Sequence, residues 1–276
     1  MLHLLKIDLK KLTSYRTFWV VCGLYFFTLA FTTASGMEFL KWLANLIEGF
    51  GQSINIDRIP LYHFPDVWQN LVFISGFFKI VLGIMTVITI TNEYQYRTLR
   101  QNIIDGMSRW EFLQSKILTN ILLSFMSMTM VFTIGLITGF IYSPEVNLKD
   151  IFTYLEFFPA YFLEVFAYLS FALMLGVFIQ RSGLTIIVLL LSRMIEYTVT
   201  AYVNYNREVV FNDDGFGSIS QFLPMQSISN LIAMPFARYA FQEIQDYVSF
   251  TAVAIALAWT ILFNYVSYLK LKRADI

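Results

Sequence analysis

Four ionisable residues lie within long apolar stretches of this sequence, where a charge is costly. They are Lys79, Glu164, Arg193 and Glu196. A charged side chain near the bilayer centre costs roughly 2.5–3.5 kcal/mol, so such residues pair, face water or mark a functional path. Arg193 and Glu196 are three positions apart and can pair on one helix, and Lys79 can pair with Glu164 if their helices touch. The four residues therefore predict a polar lining or gate in a transport path, a structural pair that fixes helix packing, or, as a third alternative, a proton relay.

The residue types that other chemistries require are scarce. The chain has two histidines, His3 and His63, far apart in sequence, and one cysteine, Cys22, so no metal site is expected. A P-loop needs a Gly-Lys pair to hold phosphates, and the sequence contains none. It also lacks His-Glu-x-x-His and Gly-x-Ser-x-Gly motifs, and its apolar stretches contain no aspartate. The sequence therefore predicts no catalytic residue, no metal ligand and no cofactor on this chain.

The composition is typical of a membrane protein. Of the 276 residues, 57% are hydrophobic and only 14% are charged, and the mean hydropathy is +0.62. Soluble domains have about 25% charged residues, and a soluble fold of this size could not bury so much apolar surface. The 19 basic residues balance the 19 acidic ones, so nucleic acid is not predicted as a partner.

Six apolar stretches are long enough to cross a bilayer, which takes about 20 helical residues. They are 17–35, 68–91, 117–142, 157–179, 184–203 and 248–269. We therefore expect an all-α polytopic membrane protein, with one transmembrane domain over residues 1–276 and external segments at 36–67 and 204–247. The first stretch is expected to be a retained span and not a cleaved leader, because its apolar run is long for a leader.

The basic residues predict the orientation, because cytoplasmic segments carry an excess of Lys and Arg. If both termini are cytoplasmic, the external segments carry five: Lys41, Arg58, Lys149, Arg207 and Arg238. The cytoplasmic segments then carry twelve: Lys6, Lys10, Lys11, Arg16, Arg97, Arg100, Arg109, Lys116, Arg181, Lys270, Lys272 and Arg273. The opposite orientation would reverse this bias, so both termini are predicted to be cytoplasmic.

Three segments outside the spans also have helical patterns. Residues 2–15 place four leucines on one face and lysines elsewhere, which predicts an amphipathic helix on the cytoplasmic surface. Residues 37–50 form a second amphipathic stretch, expected to pack on the bundle or lie flat at the outer interface. Pro224 and Pro235 bracket about ten apolar residues, which predicts one short re-entrant or interfacial helix.

The cytoplasmic segment 93–116 carries more local signals than a simple connection needs. No helix breaker precedes the turn signal Asp105-Gly106, so a helix is predicted over about 93–104. Ser108 with Glu111 three residues later is a capping box, which predicts a second helix running into the third span. A connection between hairpin helices needs only a few residues, and this segment is therefore a candidate functional element.

The same run resembles the loop that follows the second span in ABC exporter permeases of the type-2 class. In that family a Glu ends the second span, a Thr follows, and a turn, a Ser-Arg pair and a Lys lead into the third span. The matching residues here are Glu93, Thr98, Ser108, Arg109 and Lys116. The family usually has Gly before the Thr, where this chain has Arg97. The N-terminal run 6–11 is also similar to the family's connecting helix, with Asp8 where Glu is commoner.

The resemblance implies a transmembrane permease subunit, and an exporter, in a bacterial cytoplasmic (inner) membrane. Two six-span halves, either two copies or this chain with a related half, would form one transport unit in the lipid bilayer. Each half would present its cytoplasmic loop helix to a separate ABC ATPase subunit, which would hold the ATP and Mg. Movement of the ATPase would pass through this coupling helix and open or close the path between the halves. The chain itself would not be an enzyme.

The resemblance also implies roles for residues of the loop. The residues expected to couple to the ATPase are Glu93, Arg97, Thr98, Leu99, Arg100, Ile103, Arg109 and Lys116. The first two arginines among them would face acidic groups, and the apolar members, with Ile104, would supply the buried contact. Glu93 is expected to hold the loop against the N-terminal helix through Lys10 or Lys11.

Two other classes of function remain as alternatives. An intramembrane enzyme would need a nucleophile–base pair, an aspartate dyad or a metal cluster within the spans. A channel or a non-transporting scaffold would not need an elaborate cytoplasmic loop. Co-purification distinguishes these classes, because only a permease half is expected to recover an ATPase.

Overall fold

The computed structural model describes residues 8, 10–11, 13–48, 62–144, 147–211, 219–235 and 247–273. Within these ranges the chain is helical and contains no strand. The helices are α1 (Arg16–Glu48), α2 (Val67–Gly76), α3 (Lys79–Gln95), α4 (Thr98–Ile104), α5 (Arg109–Tyr142), α6 (Leu148–Phe152), α7 (Phe157–Ile179), α8 (Ser182–Phe211), α9 (Pro224–Ser229) and α10 (Phe250–Arg273). A short 3₁₀ turn, Ile219–Phe222, precedes α9.

Four helical stretches are long and apolar enough to cross a membrane: Arg109–Tyr142, Leu148–Ile179, Ser182–Tyr202 and Phe250–Arg273. Helices α2 and α3 make a fifth candidate span, bent by 40° at the break between them. The apolar part of α1, Phe18–Thr32, is shorter. By length and composition the structure therefore has four membrane-spanning helices, or five if the bent pair is one span. Each of the six predicted stretches is nevertheless helical over most of its length.

Helix α1 differs from the prediction of a separate amphipathic helix at 37–50. It runs unbroken from Arg16 to Glu48, and residues 49–50 lie outside the described part. The only weak position near the expected boundary is Gly36, and a single glycine costs a helix only about 1 kcal/mol. With 33 residues at 1.5 Å each, α1 is about 50 Å long and exceeds the hydrocarbon thickness of about 30 Å.

Helix α9 is shorter than the helix of about ten residues predicted between the two prolines. Pro224 occupies the start of α9, where its missing N–H is harmless. The helix ends at Ser229, and the Oδ1 atom of Asn230 accepts a hydrogen bond of 2.7 Å from Gln226 Nε2. Asparagine side chains compete with backbone hydrogen bonding and favour helix ends. The predicted amphipathic helix at 2–15 falls largely outside the described residues, although Asp8, Lys10 and Lys11 are helical.

Helix α7 is the centre of the bundle and packs against α3, α5, α8 and α10. Tyr161 and Leu169 of α7 are completely buried. Close packing depends on small residues, because a Cβ atom added at Gly176 would collide with Ile90 Cγ2 of α3. The core of the bundle is thus built around α7, which makes close contacts with helices on several sides.

Contacts between distant segments define the two ends of the bundle. At one end, Lys11 Nζ donates to Asn102 Oδ1 at 3.2 Å and Arg109 donates to the carbonyl of Lys272. At the other end, Val248 N donates to Glu156 Oε1 at 3.1 Å. The described N-terminal residues, the 93–116 segment and the end of α10 therefore lie at the same end.

Candidate functional site

The 93–116 segment has a different shape from the predicted helix over 93–104. Helix α3 ends at Gln95, and α4 begins at Thr98. Between them Arg97 adopts the left-handed conformation, with φ 56° and ψ 20°. The Thr98 hydroxyl donates a hydrogen bond to the Glu93 carboxylate, and this contact stabilises a sharp turn of the backbone at Arg97. The sequence gives no signal for this turn, because no Gly or Pro lies between 93 and 104. The prediction of one continuous helix was therefore wrong at this point.

The second half of the segment forms as predicted. Ser108 Oγ accepts from Glu111 N at 3.2 Å, and the Glu111 carboxylate accepts from Ser108 N at 2.8 Å. This capping box starts α5. The predicted turn precedes it, with Gly106 at φ 99°, a conformation that glycine adopts without steric cost.

A buried charge cluster, defined here as Asp8, Glu93 and Lys116 with the partly exposed Lys11, joins this segment to the N-terminal residues. Lys116 Nζ bonds to the Asp8 carboxylate and lies 3.0 Å from Glu93 Oε1. Lys11 Nζ lies 3.7 Å from the same Glu93 oxygen. The second Asp8 oxygen accepts from Thr119 Oγ1 at 2.6 Å. One buried ammonium group thus bridges two carboxylates that come from different parts of the chain.

The charge cluster confirms one expected contact and corrects another expectation. Glu93 was expected to contact Lys10 or Lys11, and the contact with Lys11 is present. Lys116 was expected to be one of the residues that couple to the ATPase, but only 5% of its side chain is exposed, so it is not available for direct contact with a partner. Asp8 was noted only as a substitution for Glu. A lone acidic residue amid basic and apolar neighbours was the signal that it would need a buried partner.

The apolar coupling residues are also distributed differently from the prediction. Leu99 is 3% exposed and packs with Phe112, Leu113 and Leu173 inside the protein, so it is not available to a partner. Ile103 is partly buried against the same cluster. Other predicted coupling residues point outward, and we call them, with two neighbours, the exposed loop face: Tyr96, Arg97, Arg100, Gln101 and Ile104.

Two of the predicted intramembrane charges pair as expected. Lys79 is the first residue of α3, directly after the bend, and its Nζ atom bonds to Glu164 Oε1 of α7. Their side chains are 13% and 6% exposed. Glu164 Oε2 is buried and has no hydrogen-bond partner among the described residues. Gly76 leaves room for this carboxylate, because a Cβ there would lie 3.0 Å from Glu164 Oε1.

The other two intramembrane charges do not pair with each other, which corrects the prediction. Glu196 accepts from the backbone N–H groups of Met225 at 2.8 Å and Gln226 at 2.9 Å, one on each carboxylate oxygen. It therefore caps the start of α9, where free N–H groups and the helix dipole favour a negative charge. Arg193 is exposed and forms no ion pair within the described ranges.

A cavity of about 640 Å³ lies among α2, α3, α7, α8, α9 and the start of α10. Lys79, Glu164 and Arg193 all line it, so the structure brings three of the four intramembrane charges to one space. Glu196 is one helical turn from Arg193 and holds α9 beside the cavity. Among the described residues no group of three His, Cys, Asp or Glu side chains could hold a metal ion.

Comparison with known proteins agrees with this architecture. No curated protein matches the chain at a significant level. A family model described as "ABC-2 family transporter protein" matches residues 2–276. Together with the apolar helices, this match over nearly the whole length shows that the chain belongs to the ABC-2 transporter family and is a multi-pass membrane protein of the permease type.

Proposed function

We propose that this chain is the permease half of an ATP-driven exporter, with six spans and both termini in the cytoplasm. Two halves form the transport unit, and each receives a separate ATPase at its exposed loop face. The observation that carries the proposal is the buried charge cluster, which ties the 93–116 segment to the N-terminal residues and to α5. A membrane scaffold has no need for so many buried ion pairs in a cytoplasmic loop.

The orientation follows from the basic residues and from the ends of the bundle. The end that carries the charge cluster also carries Arg109, Lys270 and Lys272, and basic residues concentrate on the cytoplasmic side. An ATPase is a cytoplasmic partner because ATP is supplied there. The exposed loop face therefore lies where such a subunit would meet it.

The packing around α4 provides a route for mechanical coupling. Leu99 of α4 contacts the buried side chains of α5 and α7, and Thr98 is bonded to Glu93 of α3. Close-packed interiors transmit displacement and do not absorb it. A movement of α4 by the ATPase is therefore passed to three membrane helices at once.

The exposed loop face has the chemistry expected of a docking surface. Arg97 and Arg100 carry positive charge, which orients an acidic partner and speeds its encounter. Ile104 is 74% exposed and supplies an apolar group that a partner can bury. Buried apolar anchors contribute most of the binding energy at an interface, and charges at its rim contribute little.

The test is co-purification with the ATPase from the native membrane, followed by ATP hydrolysis assays. The variant Ile104→Asp is expected to insert and fold normally but to lose the ATPase or its stimulation. Leu148→Asp is the matched control, because Leu148 is 76% exposed and lies in α6, at the opposite end of the bundle. Leu99→Asp is a poor probe, since it would place a charge in the protein's own core.

The two alternatives give different results in the same experiment. A scaffold, a channel or an intramembrane enzyme would recover no ATPase of about 25–35 kDa, which is the expected size of one nucleotide-binding subunit. If the ATPase is recovered equally with the wild type and with Ile104→Asp, the exposed loop face is not the docking surface.

A further inference from the structure

The cavity beside the Lys79–Glu164 pair has the dimensions of a ligand site. Its volume is about 640 Å³, and pockets for small molecules measure roughly 300–1,000 Å³. It lies at the bend of the span formed by α2 and α3, beside the short helix α9. Its occupant would therefore lie within one protein chain, at the depth of the membrane.

The charges around the cavity favour an acidic group. Lys79 and Glu164 neutralise each other, so Arg193 leaves the described part of the lining with one excess positive charge. Ser249 and Thr251 at the start of α10 also line the cavity, and the N-terminal end of a helix attracts anions. Glu196 lies one helical turn from Arg193 on α8, and its carboxylate already accepts hydrogen bonds from two backbone N–H groups.

Arg193 has a physical need for a partner. It lies near the middle of the predicted span 184–203, and an arginine at that depth costs roughly 2.5–3.5 kcal/mol when it is unpaired. Its side chain is exposed to the cavity and lacks an ion pair among the residues described. A guanidinium group forms two parallel hydrogen bonds with a carboxylate or a phosphate, which would remove this cost.

The remaining wall of the cavity is mainly apolar. Phe73, Phe77 and Ile80 line it from the bent span, and Met234 and Ile255 line it from the opposite side. A small inorganic anion would leave this wall without contacts, whereas an alkyl chain would fill it. At the polar wall, Glu164 Oε2 is buried and has no hydrogen-bond partner in the part of the chain that the structure describes.

We propose that this cavity binds an amphipathic molecule through its acidic head group, with its alkyl chain against the apolar wall. The carboxylate or phosphate of the head lies against Arg193, and a neighbouring donor group satisfies Glu164 Oε2. The inference deepens the proposed function, on which it rests, because it names the chemical class of molecule that the permease holds. Its test measures binding without any ATPase, so a failure of coupling and a failure of this site are distinguishable.

The experiment uses the full chain in nanodiscs of phosphatidylcholine. The probe is a palmitic acid with a photoactivatable group near the end of its chain, and the control probe is its methyl ester. After illumination, labelled peptides are identified by mass spectrometry. The acid is expected to label residues 73–80 and 225–234 about tenfold more than the ester, as a charged hydrogen bond predicts.

Three variants test the head-group contact. Arg193→Gln is expected to lower labelling by the acid about tenfold, without loss of thermal stability because the residue is exposed. Arg193→Lys keeps the charge and is expected to retain most of the labelling. Arg181→Gln is the matched control, since Arg181 is also an exposed arginine at the start of α8 but does not line the cavity.

Competition identifies the source of the head group. Displacement of the probe by two-chain phosphatidylglycerol in the nanodisc supports a bilayer lipid, and displacement only by a single-chain acid supports a detached amphiphile. Equal labelling by acid and ester overturns the proposal. So does an Arg193→Gln variant that labels as well as Arg181→Gln.

Discussion

At the scale of single residues, Lys116 forms ion pairs with two carboxylates, those of Asp8 and Glu93. Its side chain is 5% exposed, and those of Asp8 and Glu93 are 4% and 8% exposed. A buried ion pair contributes little net stability compared with an apolar replacement, but breaking one leaves an uncompensated charge in the interior. The charge cluster therefore holds the N-terminal residues against the loop, because Lys116 bridges one carboxylate from each of these two segments.

Replacing Lys116 with Met is expected to destabilise the fold by about 3–5 kcal/mol, because two carboxylates lose their shared partner. The measurement is chemical unfolding of the protein in detergent. Lys10→Met is the control, since Lys10 is exposed and should change stability by less than about 0.5 kcal/mol. Equal effects of the two variants would show that the cluster does not hold the N-terminal residues.

At the scale of elements, the break between α3 and α4 depends on an unfavourable backbone conformation at Arg97. A residue with a Cβ in the left-handed region costs roughly 1–2 kcal/mol, and glycine avoids this cost. The Thr98–Glu93 contact and the burial of Leu99 hold the reversal in place despite it. The resemblance already indicated that related proteins usually place glycine here, and the observed φ supplies the reason.

Arg97→Gly is therefore expected to raise the free energy of unfolding by about 1 kcal/mol. Arg100→Gly is expected to lower the free energy of unfolding by about 1 kcal/mol, because Arg100 lies inside α4 and glycine is unfavourable within a helix. Both variants remove one exposed arginine, so the pair separates backbone conformation from charge. Thermal unfolding should shift in opposite directions, and a shift of the same sign would contradict the assigned backbone.

The start of α9 depends on a remote carboxylate in place of a capping residue of its own. Glu196→Ala is expected to expose the amides of Met225 and Gln226 and to cost about 1–2 kcal/mol, as for the loss of a helix cap. Hydrogen exchange at these two amides is the measurement. Arg193→Gln should leave both amides protected. Faster exchange of these amides in Arg193→Gln would show that Arg193 helps to position the Glu196 carboxylate.

At the scale of the whole molecule, the two ends of the bundle differ in charge and in contacts. The charge cluster, Arg109 and the basic end of α10 share one end. The opposite end is joined by contacts such as Trp68 Nε1 to the carbonyl of Ile151 at 2.9 Å. The bent span and the cavity lie between them, and α3 runs from the loop at Gln95 to Lys79 at the cavity wall.

This arrangement predicts which positions a membrane-impermeant thiol reagent can reach. Cys22 is buried and can be replaced by Ser to give a background without cysteine. Single cysteines at Arg100 and Arg273 are expected to react only from the cytoplasmic side, and those at Leu148 and Tyr247 only from outside. All four positions are exposed, and reaction of Arg100→Cys from outside would invert the proposed orientation.

The sequence by itself determined the class of protein and the positions of most helices. Apolar runs of about 20 residues imply membrane helices wherever they pack, and α7 has the same bounds as the predicted stretch 157–179. The Ser108–Glu111 capping box is equally local, because both partners lie within four residues. The family resemblance rests on the same short-range pattern. These features were predictable because their physical cause lies within a few residues of chain.

Only the tertiary structure decided which charges meet and which apolar residues are free. Lys116 and Asp8 are 108 positions apart, so no local rule could pair them. Arg193 and Glu196 are three apart and looked like partners, but two backbone N–H groups at the start of α9 compete more effectively for the carboxylate. Leu99 is apolar on a cytoplasmic loop, and only the packing of α4 on α5 and α7 turned it inward. Long-range packing sets these outcomes because burial, and not sequence spacing, determines what each side chain must satisfy.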